Sequence, residues 1–176
     1  MFFRKLSFRS GLKTIIMNTA EEIINQFDLQ AHPEGGYYKE TYRSNTTTSI
    51  EDKERNSSTA IYYLLAGNNF SAFHRIKSDE MWHFYSGDIL EIIEITADGI
   101  LKTHLLGSDY NISKPQIVIA AGNWFAARLY KENSMAFVGC TVSPGFDFKD
   151  FEIAKRQQLL ENYPLFEKEI IKLTRD

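Results

Sequence analysis

The densest run of reactive side chains is Phe73-His74-Arg75-Ile76-Lys77-Ser78-Asp79-Glu80-Met81-Trp82-His83, with two of the four histidines and a glutamate inside ten residues. Imidazole and carboxylate together ligate zinc, iron, manganese or nickel, and the same groups form an acid–base set. Side chains alternate along a strand, so if Glu80, Trp82 and Phe84 face inward, His83 faces outward unless a bulge reverses the parity. A second candidate is Gly35-Gly36-Tyr37-Tyr38-Lys39-Glu40-Thr41-Tyr42-Arg43. Paired glycines permit positive φ or close backbone approach, and alternation beyond them sends Tyr38, Glu40 and Tyr42 to one face. Arg43 can grip a phosphate or carboxylate with two parallel bonds, or sit in a structural ion pair. No Gly-Lys-Ser/Thr follows the glycines, so they are not a phosphate loop. His32, ahead of Pro33, reads as structural, and His104, with no acidic neighbour, reads as packed or surface. Cys140 lies in an apolar stretch and lacks the cationic setting of a reactive thiolate.

The elements that must hold these residues are short strands. They are expected over residues 58–66, 70–76, 81–85, 89–96, 100–106, 116–120, 124–129 and 135–142, with turn residues every 8–12 positions. Asp98-Gly99 is the best hairpin signal among them. That rhythm belongs to an all-β sandwich or barrel, and the absence of intervening helices excludes a doubly wound sheet. A helix is expected over residues 18–29, capped by Thr19 with Glu21 and Glu22 in its first turn. Two more are expected over residues 151–162 and 165–173, interrupted by Pro164. The polar stretch 44–58 reads as a surface loop.

Composition narrows the function further. A chain of 176 residues that is 43% hydrophobic suits one domain with a real core, and 14% aromatic residues favour sheets or a lined cavity. One cysteine excludes an internal disulfide. Residues 1–16 carry Arg4, Lys5, Arg9 and Lys13 and no acid, the composition of a transit peptide or basic arm, with Met17 as the alternative start. The expected division is that leader over 1–16 and a single folded domain over 17–176. Four of the 20 basic residues lie in the leader, so the remainder sets 16 basic residues against 23 acidic ones and offers no broad nucleic-acid surface. No apolar run reaches the roughly 20 residues of a membrane helix. A cytoplasmic protein without nucleic-acid or membrane partners is expected.

His74-x5-Glu80-x6-Gly87, preceded by Gly67, resembles the first cupin motif, one residue loose at the glycine, and Ala121-Gly122-Asn123-Trp124 resembles the turn of the second. His32-Pro33-Glu34-Gly35-Gly36-Tyr37-Tyr38, Glu40-Thr41-Tyr42-Arg43, Ser78-Asp79-Glu80-Met81-Trp82-His83 and Ser143-Pro144-Gly145-Phe146 together resemble the fifth cupin family. The resemblance implies an all-β fold: a double-stranded β-helix, or jelly-roll-like barrel, flanked by N-terminal and C-terminal helices. It further implies a mouth for one small ligand and a homodimer. In fold that family resembles the sugar-nucleotide 3,5-epimerases, which work without metal through a histidine–aspartate pair and a tyrosine acid.

Of the four positions that hold metal in other cupins, His74 and Glu80 match, while Ile76 and Phe125 stand where histidines would. No cofactor is therefore expected; the alternative is a divalent transition metal on His74, Glu80 and His83. In the metal-free reading His74 is the base, Asp147 or Glu80 its partner carboxylate, and Tyr37, Tyr62 or Tyr85 the acid. Glu40, Arg43, Arg75, Trp82 and Trp124 complete the expected ligand contacts, with the two arginines holding an anion. The function this implies is binding of a small anionic sugar or nucleotide-sugar with epimerase- or isomerase-like proton transfer. A metal-dependent oxygenase or isomerase and a non-catalytic metabolite-binding protein are the alternatives.

Overall fold

The computed structural model describes residues 19–50 and 53–175; the expected basic leader and Met17 lie outside them. Helix α1 (Ala20–Phe27) opens with a reciprocal cap, in which the Thr19 side chain accepts from the Glu22 N–H and the Glu22 carboxylate accepts from the Thr19 N–H. The strands follow in order: β1 (Gln30–Ala31), β2 (Tyr37–Arg43), β3 (Thr47–Ile50), β4 (Lys53–Asn56), β5 (Thr59–Gly67), β6 (Phe70–Arg75) and β7 (Asp79–Gly87). Then come β8 (Leu90–Ile95), β9 (Leu101–Leu106), β10 (Gln116–Ile119), β11 (Trp124–Leu129), β12 (Ser134–Ser143) and β13 (Glu152–Ile153), before α2 (Arg156–Asn162) and α3 (Glu167–Lys172). Gly99 takes a φ of 72° in the turn between β8 and β9, as the Asp-Gly pair predicts.

Two antiparallel sheets stack face to face, as expected of a cupin sandwich. One runs β1-β2-β5-β12-β7-β10 and the other β13-β6-β11-β8-β9. Alternation along each strand sorts the side chains into three apolar layers. Tyr63, Leu65, Trp82, Ile92, Phe125 and Val138 fill the space between the sheets. Their sequence neighbours point outward: Leu64 and Phe137 meet Ile23 and Leu29 beside α1. On the other sheet Phe73, Ile93 and Trp124 meet Leu159, Ile170 and Leu173. The flanking helices therefore cover the outer faces, and each sheet's inner face is left for the core and the cavity.

Two expectations about elements change. Residues 44–58 are not a plain loop, because β3 and β4 pair as a separate two-stranded hairpin. Its Thr- and Ser-rich sequence is polar on both sides, so no alternation announced a strand. Residues 151–155 are not helical: Glu152 and Ile153 pair with Arg75 and His74 at the sheet edge, and the helix begins at Arg156. No described helix is long and apolar enough to cross a membrane.

Candidate functional site

A cavity of about 400 Å³ opens where the β1-β2 edge of one sheet faces the β13-β6 edge of the other. Its floor holds Glu34, Tyr63, His74, Glu80 and Cys140, and its mouth is rimmed by Phe146, Phe148 and Phe151. Three local distortions of the strands decide which side chains enter it.

The first is the turn between β1 and β2. Gly35 and Gly36 adopt φ of 114° and 72°, and a Cβ on Gly36 would lie 2.8 Å from the Leu64 carbonyl. The tight turn they allow, closed by His32 N–H donating to the Gly36 carbonyl at 3.0 Å, drops Glu34 into the floor. The Glu34 carbonyl accepts from the Ala72 N–H at 2.8 Å, and the Tyr63 hydroxyl donates to the Gly35 carbonyl at 2.7 Å. The second is a bulge in β6: His74 opposes Phe125 and Ser71 opposes Ala127, so Ala72 and Phe73 stand against Ala126 alone. That extra residue puts both Ser71 and His74 on the cavity face. The third is a bulge in β2, where Glu40 opposes Ile61 and Tyr42 opposes Ala60. It turns Arg43, rather than Tyr42, inward beside Tyr38 and Glu40.

His74 and Glu34 form the centre of the floor. The His74 Nδ1–H donates to the Ala72 carbonyl at 2.7 Å, which fixes the tautomer and leaves Nε2 facing Glu34 Oε2 at 3.0 Å. The Ser71 hydroxyl donates to Glu34 Oε1 at 2.9 Å. Only 2% of His74 and 5% of Glu34 are exposed. Burial pushes the histidine down to about 4 and pushes the Glu34 carboxyl upward. With its Nδ1–H committed to Ala72 and the imidazole held neutral, Nε2 can only accept, so a hydrogen bond across the 3.0 Å contact places the shared proton on Glu34. Glu80 stands on the facing strand, 7% exposed, and is raised to about 8, chiefly by burial. It is therefore a neutral carboxylic acid at pH 7, in contact with the Cys140 thiol. That thiol is itself pushed well up by burial, in keeping with an inert core cysteine.

Several expected site residues lie elsewhere. Asp147 lines the mouth, not the floor; it caps the short turn Phe148–Asp150 and faces Arg55 at 3.8 Å. The carboxylate that meets His74 is thus Glu34, rather than Asp147 or Glu80. Tyr37 and Tyr62 point outward beneath α1, and Tyr85 packs on Tyr62 and Phe137 on that same outer face. Trp82 is core, edge-on to Tyr63 and Phe125. Trp124 and Arg75 lie on the outer face of the second sheet, where the guanidinium stacks 4.4 Å over the indole and pairs with Glu152. Even-numbered and odd-numbered neighbours simply fall on opposite faces.

His83 also points away. The bulge in β7 falls at Tyr85, beyond it, so its ring faces out to Thr141 and Gln116 while Glu80 faces in. His74, Glu80 and His83 therefore do not converge. Among the described residues no three His, Cys, Asp or Glu side chains are arranged to hold one metal ion. Ile76 lines the cavity, and the Phe125 ring lies 4.1 Å from that of His74.

The arginines expected to hold an anion are both engaged. Arg43 donates from Nε and Nη2 to the two Glu40 oxygens at 2.9 and 2.6 Å, and from Nη1 to Asn56 and the Phe146 carbonyl. It thus sits in an ion pair with Glu40 at the edge of the cavity. Sequence reasoning missed Glu34, although the glycine pair beside it was the signal. It also missed His32, which lines the cavity 3.5 Å from Glu34, and the acidic partner of His104, which is Glu94 at 2.8 Å.

Comparison with known proteins agrees with this architecture. A family model described as Cupin superfamily (DUF985) matches residues 21–154. An uncharacterized protein of Saccharomyces cerevisiae is 29% identical, over 82% of this chain and 80% of its own length. A hypothetical protein from Leishmania major superposes with a TM-score of 0.87 at 33% identity, covering 90% of this chain and 100% of that one. A protein from Shewanella oneidensis does so with a TM-score of 0.84 at 38% identity, covering 90% and 99%.

Proposed function

The chain belongs to the cupin superfamily, in the family described as DUF985, and on that premise we propose that its cavity binds a small hydroxylated carbonyl compound, such as a sugar, and moves a proton on it without a metal. The observation that carries this reading is the His74–Glu34 contact at 3.0 Å, with the far side of the imidazole fixed on Ala72. A buried pair sharing one proton is a relay. Glu34 takes a proton from the carbon beside the ligand's carbonyl as its own proton passes to His74 Nε2. The resulting imidazolium is held by the Ala72 carbonyl. Glu80, neutral because it is buried, donates its O–H to the oxygen on which negative charge develops. Two groups pushed apart by their surroundings thus take the base and acid roles.

The charge balance favours a ligand whose buried part is neutral. Glu34 and Glu80 line the floor, and Arg43, the arginine at the cavity, is already forked onto Glu40. A phosphate would have to displace Glu40 to reach it, so the anion-holding role expected of Arg43 and Arg75 loses its support. Ile76 and Phe125, where metal-binding cupins place histidines, support the metal-free route.

The test is solvent-deuterium incorporation into a panel of aldoses, ketoses and sugar nucleotides, followed by proton NMR. Exchange at the carbon next to the carbonyl is expected with the native protein, reduced about 100-fold or more in His74→Ala and in Glu34→Gln. Exchange that survives both substitutions, or none across the panel, contradicts the relay.

A further inference from the structure

The mouth of the cavity is unlike its floor. After β12 the chain leaves one sheet, crosses the opening as Phe146-Asp147-Phe148-Lys149-Asp150-Phe151, and joins the other sheet as β13. The three phenylalanines meet edge to face, with ring centres 4.9 to 6.0 Å apart. Phe151 reaches down to His74 at 5.4 Å. Phe148 is 52% exposed, an apolar ring left at the surface while Phe146 and Phe151 are half-buried. It lies 6.3 Å from the His32 ring with only 25° between their planes. Across His32, Tyr38 stands edge-on at 4.6 Å.

This geometry is a near-parallel slot. A ring inserted between two others needs about 3.5 Å on each side, so an opening of about 1 Å would admit one. Phe148 has the solvent room to give it. The fixed charges beside the slot balance: Glu40 pairs with Arg43, and Asp150 and Asp147 face Arg55, with Lys149 beside Asp147. They neither demand nor repel a charge on what enters.

We infer that the mouth is a seat for an uncharged planar ring, an aryl group or a nucleobase, carried by the same ligand whose hydroxylated part enters the floor. This rests on the cavity being a ligand site, and not on the proton relay. An aromatic ring stacked on Phe148 and His32 gains dispersion and quadrupole complementarity that a saturated ring of equal size does not.

The experiment titrates protein carrying isotope-labelled phenylalanine and histidine with phenol, thymine and cyclohexanol, reading ring signals by NMR. Phenol or thymine is expected to move the Phe148, Phe151 and His32 signals, and Phe148→Ala to weaken that binding by about fivefold or more. Phenol alone points to an aryl group, and thymine binding more tightly to a nucleobase. Cyclohexanol is expected to bind more weakly than either. The seat is overturned if neither planar ring moves these signals, if cyclohexanol binds as tightly, or if Phe148→Ala binds as before. Deuterium exchange without ring binding would remove the seat and leave the relay. Ring binding without exchange would do the reverse.

Discussion

Glu80→Gln should make the protein more stable, and only where Glu80 would otherwise ionise. An exposed glutamate titrates near 4.5, whereas Glu80 is raised to about 8, chiefly by burial. Between those values the unfolded chain loses the proton while the folded one retains it, so native stability falls as pH climbs from 4.5 to 8. Each pH unit in that window costs about 1.4 kcal/mol. Across the 2.5 units to pH 7 the full figure is about 3 kcal/mol, and some relief by water in the open cavity brings it to about 2–3 kcal/mol. Glutamine keeps the shape and cannot ionise. In a chain of this size the gain corresponds to about 5–10 °C in Tm at pH 7, more at pH 8, and under about 1 kcal/mol at pH 5. Thermal unfolding of both proteins at pH 5, 7 and 8 measures it. An equal gain at every pH, or no gain at pH 8, would refute the assignment of Glu80 as a buried neutral acid.

Glu34→Gln retains a donor toward His74 Nε2 and an acceptor for Ser71 and removes a carboxyl raised by burial, so its midpoint should rise from pH 5 to pH 7 relative to native, as for Glu80→Gln, while deuterium exchange is lost. Gly36→Ala forces a Cβ against the Leu64 carbonyl at a φ of 72°, and unfolding should show a cost of about 2 kcal/mol or more. Arg55→Met leaves Asp150, only 11% exposed and 2.7 Å from the lost guanidinium, without its cation. About 2 kcal/mol of stability should go with it, and amide hydrogens over residues 146–151 should exchange faster.

The architecture was legible because alternation and turn residues recur through residues 58–142, and because Thr19 and Glu22 spell out a helix start. The cupin motif residues placed His74 and Glu80 in the cavity, and Glu80 does sit on a regular, inward position of its strand. The failures lie where the backbone departs from period two. The bulge in β2 exchanged Tyr42 for Arg43. The bulge in β6 brought Ser71 and His74 to one face. Neither leaves a mark in residue type. Glu34 was hidden differently: it lies in a turn, where no periodicity assigns a face, and only the hydrogen bond from Ala72 reveals that the turn folds inward. Tyr37, Tyr62, Tyr85 and Trp124 were attractive as aromatic side chains, yet each lies on the outer face of its sheet.

The position of the shared proton tests the account most directly. Long-range proton–nitrogen spectra of histidine-labelled protein at pH 7 should show His74 neutral, with hydrogen on Nδ1 and an Nε2 that accepts from Glu34. In Glu34→Ala the Nε2 resonance should move as that donor is lost. A His74 that carries its hydrogen on Nε2, or is doubly protonated at pH 7, would contradict the relay.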